Sequence, residues 1–140
     1  MIHAFAPEYN KRRKAVVDQY SAYEPLPGQH VNGELTQGEN IADIGGVKLA
    51  YAALQKALEK HPEERNKKID GLTAEQRIFL SFAAIWRSKI RDEDQKLRLT
   101  TDPHSPAVSR ERTAREHAGI PKKRSIFRTA RQWFGRWTNA

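Results

Sequence analysis

Apolar residues recur at helical spacing in three stretches of this 140-residue chain. The first runs from about Pro7 to Tyr20. It ends at a connector, Tyr23-Glu24-Pro25-Leu26-Pro27-Gly28, that two prolines and a glycine keep out of helix. The second and longest spans about Thr36 to Lys60, with Ile44, Val47, Tyr51, Leu54 and Leu58 on one stripe. Gly45 and Gly46 interrupt it, each costing about 1 kcal/mol relative to alanine, which close approach of another backbone would explain. After a charged loop from His61 to Asp70, the third stretch opens with Thr73 and Gln76 in capping-box register. It carries Ile78, Phe79, Leu80, Phe82, Ala83, Ile85 and Trp86 toward Ile90, apolar around much of its circumference, as suits a protein interior. Leu97 to Thr100 reads as extended chain leading to a loop at His104. The predicted fold is therefore mainly α.

Composition narrows this picture in three ways. The chain has no cysteine, which excludes disulfides and thiolate metal sites. No run approaches the ~18 apolar residues of a membrane span, and no secretory signal peptide is present, so the chain taken alone is expected in the cytoplasm. The net charge of +8 is unevenly placed. Residues 107–140 hold nine basic and two acidic side chains, whereas residues 1–106 are nearly neutral. Such a tail ordinarily suggests an arm for nucleic acid or anionic membrane.

The segment with the most chemistry is Gly38-Glu39-Asn40-Ile41-Ala42-Asp43. Glu39 and Asp43 lie four apart on the second helix, so both carboxylates project from one face, where like charges repel by a few tenths of a kcal/mol. Two solvated acids near a helix N-terminus would account for that pair. A longer series of blocks points elsewhere. Gln19-Tyr20, Pro25-Leu26-Pro27-Gly28, His30-Val31-Asn32-Gly33 and Leu35-Thr36 precede the pair. Gly71-Leu72-Thr73, Gln76-Arg77, Phe79-Leu80-Ser81-Phe82-Ala83 and Ile85-Trp86-Arg87 follow, and Asp102-Pro103-His104-Ser105-Pro106 closes the series. In this order they resemble the C-terminal part of the neprilysin/endothelin-converting-enzyme family of zinc metalloendopeptidases, over about residues 9 to 106.

The resemblance implies the helical C-terminal portion of a thermolysin-like catalytic domain, acting outside the cytoplasm on peptide substrates. It makes Glu39 the third protein ligand of a catalytic zinc. Asp43 would accept the N–H of a zinc-bound histidine, and His104 would donate to the oxyanion of the tetrahedral intermediate. The other two zinc ligands of such enzymes come from a helical HExxH, and none occurs here. His3, His30, His61, His104 and His117 are isolated from one another. Residues 1–106 are thus expected to be a partial catalytic domain, inactive alone unless a complementing N-terminal half supplies the missing helix.

After the His104 motif the family continues with a Phe-Arg-Val-Asn-Gly block, which this chain lacks. A permitted back-translation of Val108 to Ile120, read one base later, encodes that block and the family's subsequent Asn-Met-Pro-Glu-Phe. A single-base frameshift near Ala107 is implied, which would leave residues 107–140 an out-of-frame basic tail, disordered or adventitiously helical. Arg110 falls at the spacing of the family's substrate-binding arginine, but on this reading by coincidence, and no role is assigned to it. If the tail is instead genuine, Ile126, Ala130, Trp133, Phe134 and Trp137 form a helical stripe among arginines. Such a stripe suits a non-catalytic module that binds anionic lipid or nucleic acid.

Overall fold

The computed structural model describes residues 6–117, and the aromatic stripe at 126–137 lies outside them. Five helices account for the described architecture: α1 (Ala6–Ser21), α2 (Gly33–Lys60), α3 (Ala74–Ile85), α4 (Asp92–Thr101) and α5 (Ala107–His117), with a 3-10 turn at Pro62–Glu64. No strand occurs among the described residues, in keeping with the mainly α expectation, and none of their helices is long and apolar enough to cross a membrane.

The long α2 is the element against which the others pack. It starts earlier than its apolar periodicity suggests, because Asn32 caps it: the side-chain oxygen accepts from the Leu35 N–H at 3.0 Å. Gly33 can occupy the first position because it lies against α1. A Cβ there would collide with the Val17 carbonyl oxygen and the Ser21 hydroxyl. Beyond this crossing, Arg13 of α1 reaches Gln37 at 2.6 Å and Glu34 at 3.1 Å.

Two apolar clusters form along α2. Near its N-terminal half, Val16, Tyr20, Val31 and Leu99 are buried together, with Tyr23, Ile41 and Ile44 against them. Further along, Val47 and Phe79 are buried, flanked by Tyr51, Ile78 and Phe82. The stripe read from the sequence thus faces two different partners. Tyr51 and Gln55 also reach Glu75 of α3, at 3.2 and 2.9 Å.

The α3 capping box is present as expected: Gln76 N–H donates to the Thr73 hydroxyl and Thr73 N–H to the Gln76 side chain. The helix stops at Ile85, not near Ile90, where Trp86 leaves helical geometry at φ −91° and ψ 2°. Its apolar girth is only partly covered, and Ile85 remains 73% exposed.

The extended reading of Leu97 to Thr100 is corrected, since these residues belong to α4. Asp92, Glu93 and Asp94 occupy the first turn, where the helix dipole favours carboxylates. Leu99 is drawn into the α1–α2 cluster, while Leu97 stays exposed. The alternation of the two leucines, suggestive of a strand, reflects one buried and one exposed helical position.

At the start of the basic segment, residues 107–117 form α5, which lies on α2 and α3. Its inner face is polar: Ser109, Arg110 and Thr113 are all buried. The Thr113 hydroxyl hydrogen-bonds the Tyr23 phenol at 2.9 Å, linking α5 to the connector after α1.

The Gly33 contact gives a direct check. Gly33→Ala is expected to destabilise the chain by about 1–3 kcal/mol through overpacking at the α1–α2 crossing. Urea denaturation followed by circular dichroism measures it, and an unchanged midpoint would mean the helices do not approach this closely.

Candidate functional site

Glu39 and Asp43 sit one turn apart on the same face of α2, as their spacing requires. The structure adds what no local pattern specified, namely which groups from α3, the α4–α5 loop and α5 stand opposite each of them. His104 comes to Glu39, and Arg110 comes to Asp43.

His104 is placed by Asp102, whose Oδ1 accepts both the His104 backbone N–H and a contact from its Nδ1, each at 2.9 Å. The backbone N–H bond is the main cause that holds the Asp102 carboxyl below its usual range, with the ring contact, the ring's charge and Arg98 adding to it against partial burial. One carboxylate oxygen therefore fixes both the loop and the ring. The ring's other nitrogen, Nε2, lies 3.3 Å from a Glu39 oxygen. If Nδ1 donates to Asp102, Nε2 bears a proton only when the ring is an imidazolium.

Arg110 reaches Asp43 from α5. Its Nε donates to Asp43 Oδ2, and the two side chains are 2% and 12% exposed. The guanidinium also lies over the indole of Trp86, with its carbon 3.6 Å from the ring centroid. Trp86 in turn tilts against His104 at 6.0 Å between centroids. The four groups form a chain, His104, Trp86, Arg110, Asp43, running from the loop back to α2. Beneath it, burial pushes the Tyr20 phenol up to about 12; the Thr113 hydroxyl opposes that shift and the Asp43 charge adds to it.

Beside this chain opens a cleft of about 270 Å³, lined among others by Asn32, Thr36, Trp86, Ser105 and Arg110. His104 borders it, whereas Glu39 does not.

Among the described residues, no group of three or more His, Asp or Glu side chains is arranged to hold a metal ion. Glu39 offers one carboxylate, and its near neighbour is a ring nitrogen already oriented by Asp102. By itself this set does not fit a zinc centre, which needs three protein ligands in its common catalytic form.

Arg110, Trp86 and Asp102 are the site residues that the sequence reading did not single out for function. The signal for Asp102 was its position two residues before His104, the spacing of a side chain that bonds the backbone two residues on. For Arg110 the signal was its spacing after His104, which the frameshift reading set aside.

This helical unit, with Glu39 on its long helix and His104 in the loop opposite, is similar to part of zinc metalloproteases of known structure. The chain belongs to peptidase family M13, whose family model matches residues 2–130. It is 42% identical over 110 residues to Neprilysin-1 of Caenorhabditis elegans, covering 76% of this chain and 14% of that protein. It is 46% identical over 98 residues to an endothelin-converting enzyme homolog of Locusta migratoria, covering 70% and 13%. Among solved structures, it resembles the Mycobacterium tuberculosis zinc metalloprotease ZMP1 in complex with inhibitor, at a TM-score of 0.69 and 42% identity, covering 77% of this chain and 17% of that one. The chain therefore spans less than a fifth of the length of these relatives.

Arg110→Met should leave Asp43 as an uncompensated, nearly buried charge. The expected cost is about 3–5 kcal/mol, with loss of amide protection in α5. Hydrogen exchange read at residues 107–113 measures it, and retained protection would show that α5 docks without the pair.

Proposed function

We propose that this chain is a segment of an M13 zinc metalloendopeptidase and contributes part of its active site without being a peptidase alone. The observation that carries the reading is the placement of Glu39 on α2 opposite His104, two residues distant in sequence to which the resemblance gives separate catalytic roles. Glu39 is the proposed zinc ligand, and the complementing portion supplies the others. Asp43 is the proposed acceptor for a ligand histidine's N–H. Arg110 takes Oδ2 of Asp43, so that role falls to the other oxygen. His104 is the proposed donor to the developing oxyanion, through Nε2 of a ring whose orientation Asp102 fixes. The proposed substrates are peptides, and the assembled enzyme acts outside the cytoplasm as its family does.

Activity measurements test this directly. The chain alone is expected to cleave no peptide. Combined with a polypeptide that supplies the missing catalytic portion, it is expected to give hydrolysis that a zinc chelator abolishes. In that assembly Glu39→Gln should release the metal, and His104→Phe should retain it while lowering kcat by about 10²–10³-fold, as loss of an oxyanion donor does. Cleavage by the chain alone, or zinc retention by the Glu39 variant, would overturn the assignment.

The proposed boundary at residue 106 is tested at the level of the gene. If the frame changes near the Ala107 codon, the next frame encodes the Phe-Arg-Val-Asn-Gly block and continues into family sequence. If no such block appears, α5 and the residues after it are a genuine continuation of the chain.

A further inference from the structure

Asn32 and Gly33 form a pair whose chemistry the proposed active site does not use. Of the five asparagines in the chain, Asn32 alone precedes a glycine. Glycine leaves its own backbone nitrogen unhindered, so that this nitrogen can attack the side chain of the asparagine before it. Packing forbids a larger residue here, because a Cβ on Gly33 would lie 2.3 Å from the Val17 carbonyl oxygen and 2.5 Å from the Ser21 hydroxyl. Asn32 itself is exposed, whereas Gly33 is buried against α1.

We propose that Asn32 is a site of spontaneous deamidation that stays closed while α1 lies on α2 and opens when this crossing separates. In the reaction the Gly33 nitrogen bonds to Asn32 Cγ and gives up its proton to solvent, and ammonia leaves as the Cγ–Nδ2 bond breaks. Water then opens the cyclic imide. Attack at Cγ yields aspartate, and attack at the main-chain carbonyl yields isoaspartate, whose chain runs through Cβ and Cγ. Ring closure requires the Gly33 nitrogen to eclipse Cβ of Asn32. At the observed ψ of 91° it points nearly anti to that carbon. Bringing it round breaks the bonds of Leu35 N–H to Asn32 Oδ1 and of Thr36 N–H to the Asn32 carbonyl, at 3.0 and 3.1 Å. It also lifts Gly33 from its place against Val17 and Ser21.

The two products differ in what they do to the fold. Aspartate caps a helix as well as asparagine does, and it adds a charge that the helix dipole favours. Isoaspartate inserts an extra main-chain carbon ahead of Gly33, where the crossing has no room even for a methyl group. A molecule that opens and converts to isoaspartate therefore does not restore the crossing.

Peptide mapping of the full chain by mass spectrometry, after incubation at mildly alkaline pH in buffer or in urea, tests this. In urea, Asn32 is expected to deamidate well ahead of Asn10 and Asn66, which are exposed and precede lysine, with isoaspartate exceeding aspartate. In buffer, the rate at Asn32 should be at least about tenfold slower, since the reaction then waits on local opening. Val16→Ala thins the cluster between α1 and α2 without touching the pair, and it should raise the rate in buffer. Should that variant fail to fold, the unaltered chain is read at urea concentrations below its unfolding midpoint, where the rate should rise with urea. Equal rates in buffer and in urea would overturn the proposal, as would a rate at Asn32 in urea no greater than at Asn10. A native-state rate indifferent both to Val16→Ala and to low urea would overturn it too. Denaturation of the separated products reads the structural consequence. Asn32→Asp should keep the midpoint of the unaltered chain and the isoaspartyl form should unfold at lower urea, whereas an isoaspartyl form with an unchanged midpoint would show that the crossing does not close the site.

Discussion

The ion pair between Asp43 and Arg110 is the contact on which the site's arrangement depends. It joins α2 to α5 across sixty-seven residues of chain and brings two charged groups almost out of solvent. Such a pair adds little net stability, because desolvation offsets most of the Coulomb attraction, yet either charge left alone is costly. Its consequence is therefore mainly geometric. With Arg110 held on Asp43, the guanidinium covers Trp86, and the indole becomes a wall for the His104 ring. The loop histidine is constrained from two sides, by this wall and by Asp102.

The remaining packing explains why α2 can serve as the platform. Its two apolar clusters involve different neighbours, α1 and α4 near the start and α3 farther along. Each fixes the helix at a separate point, and the turn with Glu39 and Asp43 lies at the first of them, beside Ile41 and Ile44. The crossing at Gly33 brings α1 close enough for Val16 and Tyr20 to reach the first cluster. That cluster also recruits Leu99, which orients α4 and the loop that follows it. The histidine's position is thus traceable to hydrophobic burial some distance from its own ring.

What this unit lacks is as structured as what it contains. Among the described residues Glu39 faces a histidine but no group of ligands, and Leu49, Ile85 and Val108 stay exposed on three different helices. The relatives that this chain matches are several times longer than it is.

The sequence alone determined the family, the mainly α architecture, the α3 cap and the sharing of one helix face by Glu39 and Asp43. Each depends on residue identity or on spacing within a single element. It misjudged α4, because Leu97 and Leu99 alternate as in a strand and only the α1–α2 cluster shows that Leu99 alone is buried. It also left Arg110 without a role, since the partner of a buried arginine lies on another helix and no local pattern encodes that choice. Tertiary packing decided which charge meets which: Asp43 takes the guanidinium and Glu39 takes the imidazole ring. The physical reason is that helical periodicity sets the direction of a side chain, whereas its partner is set by where the other helices come to rest.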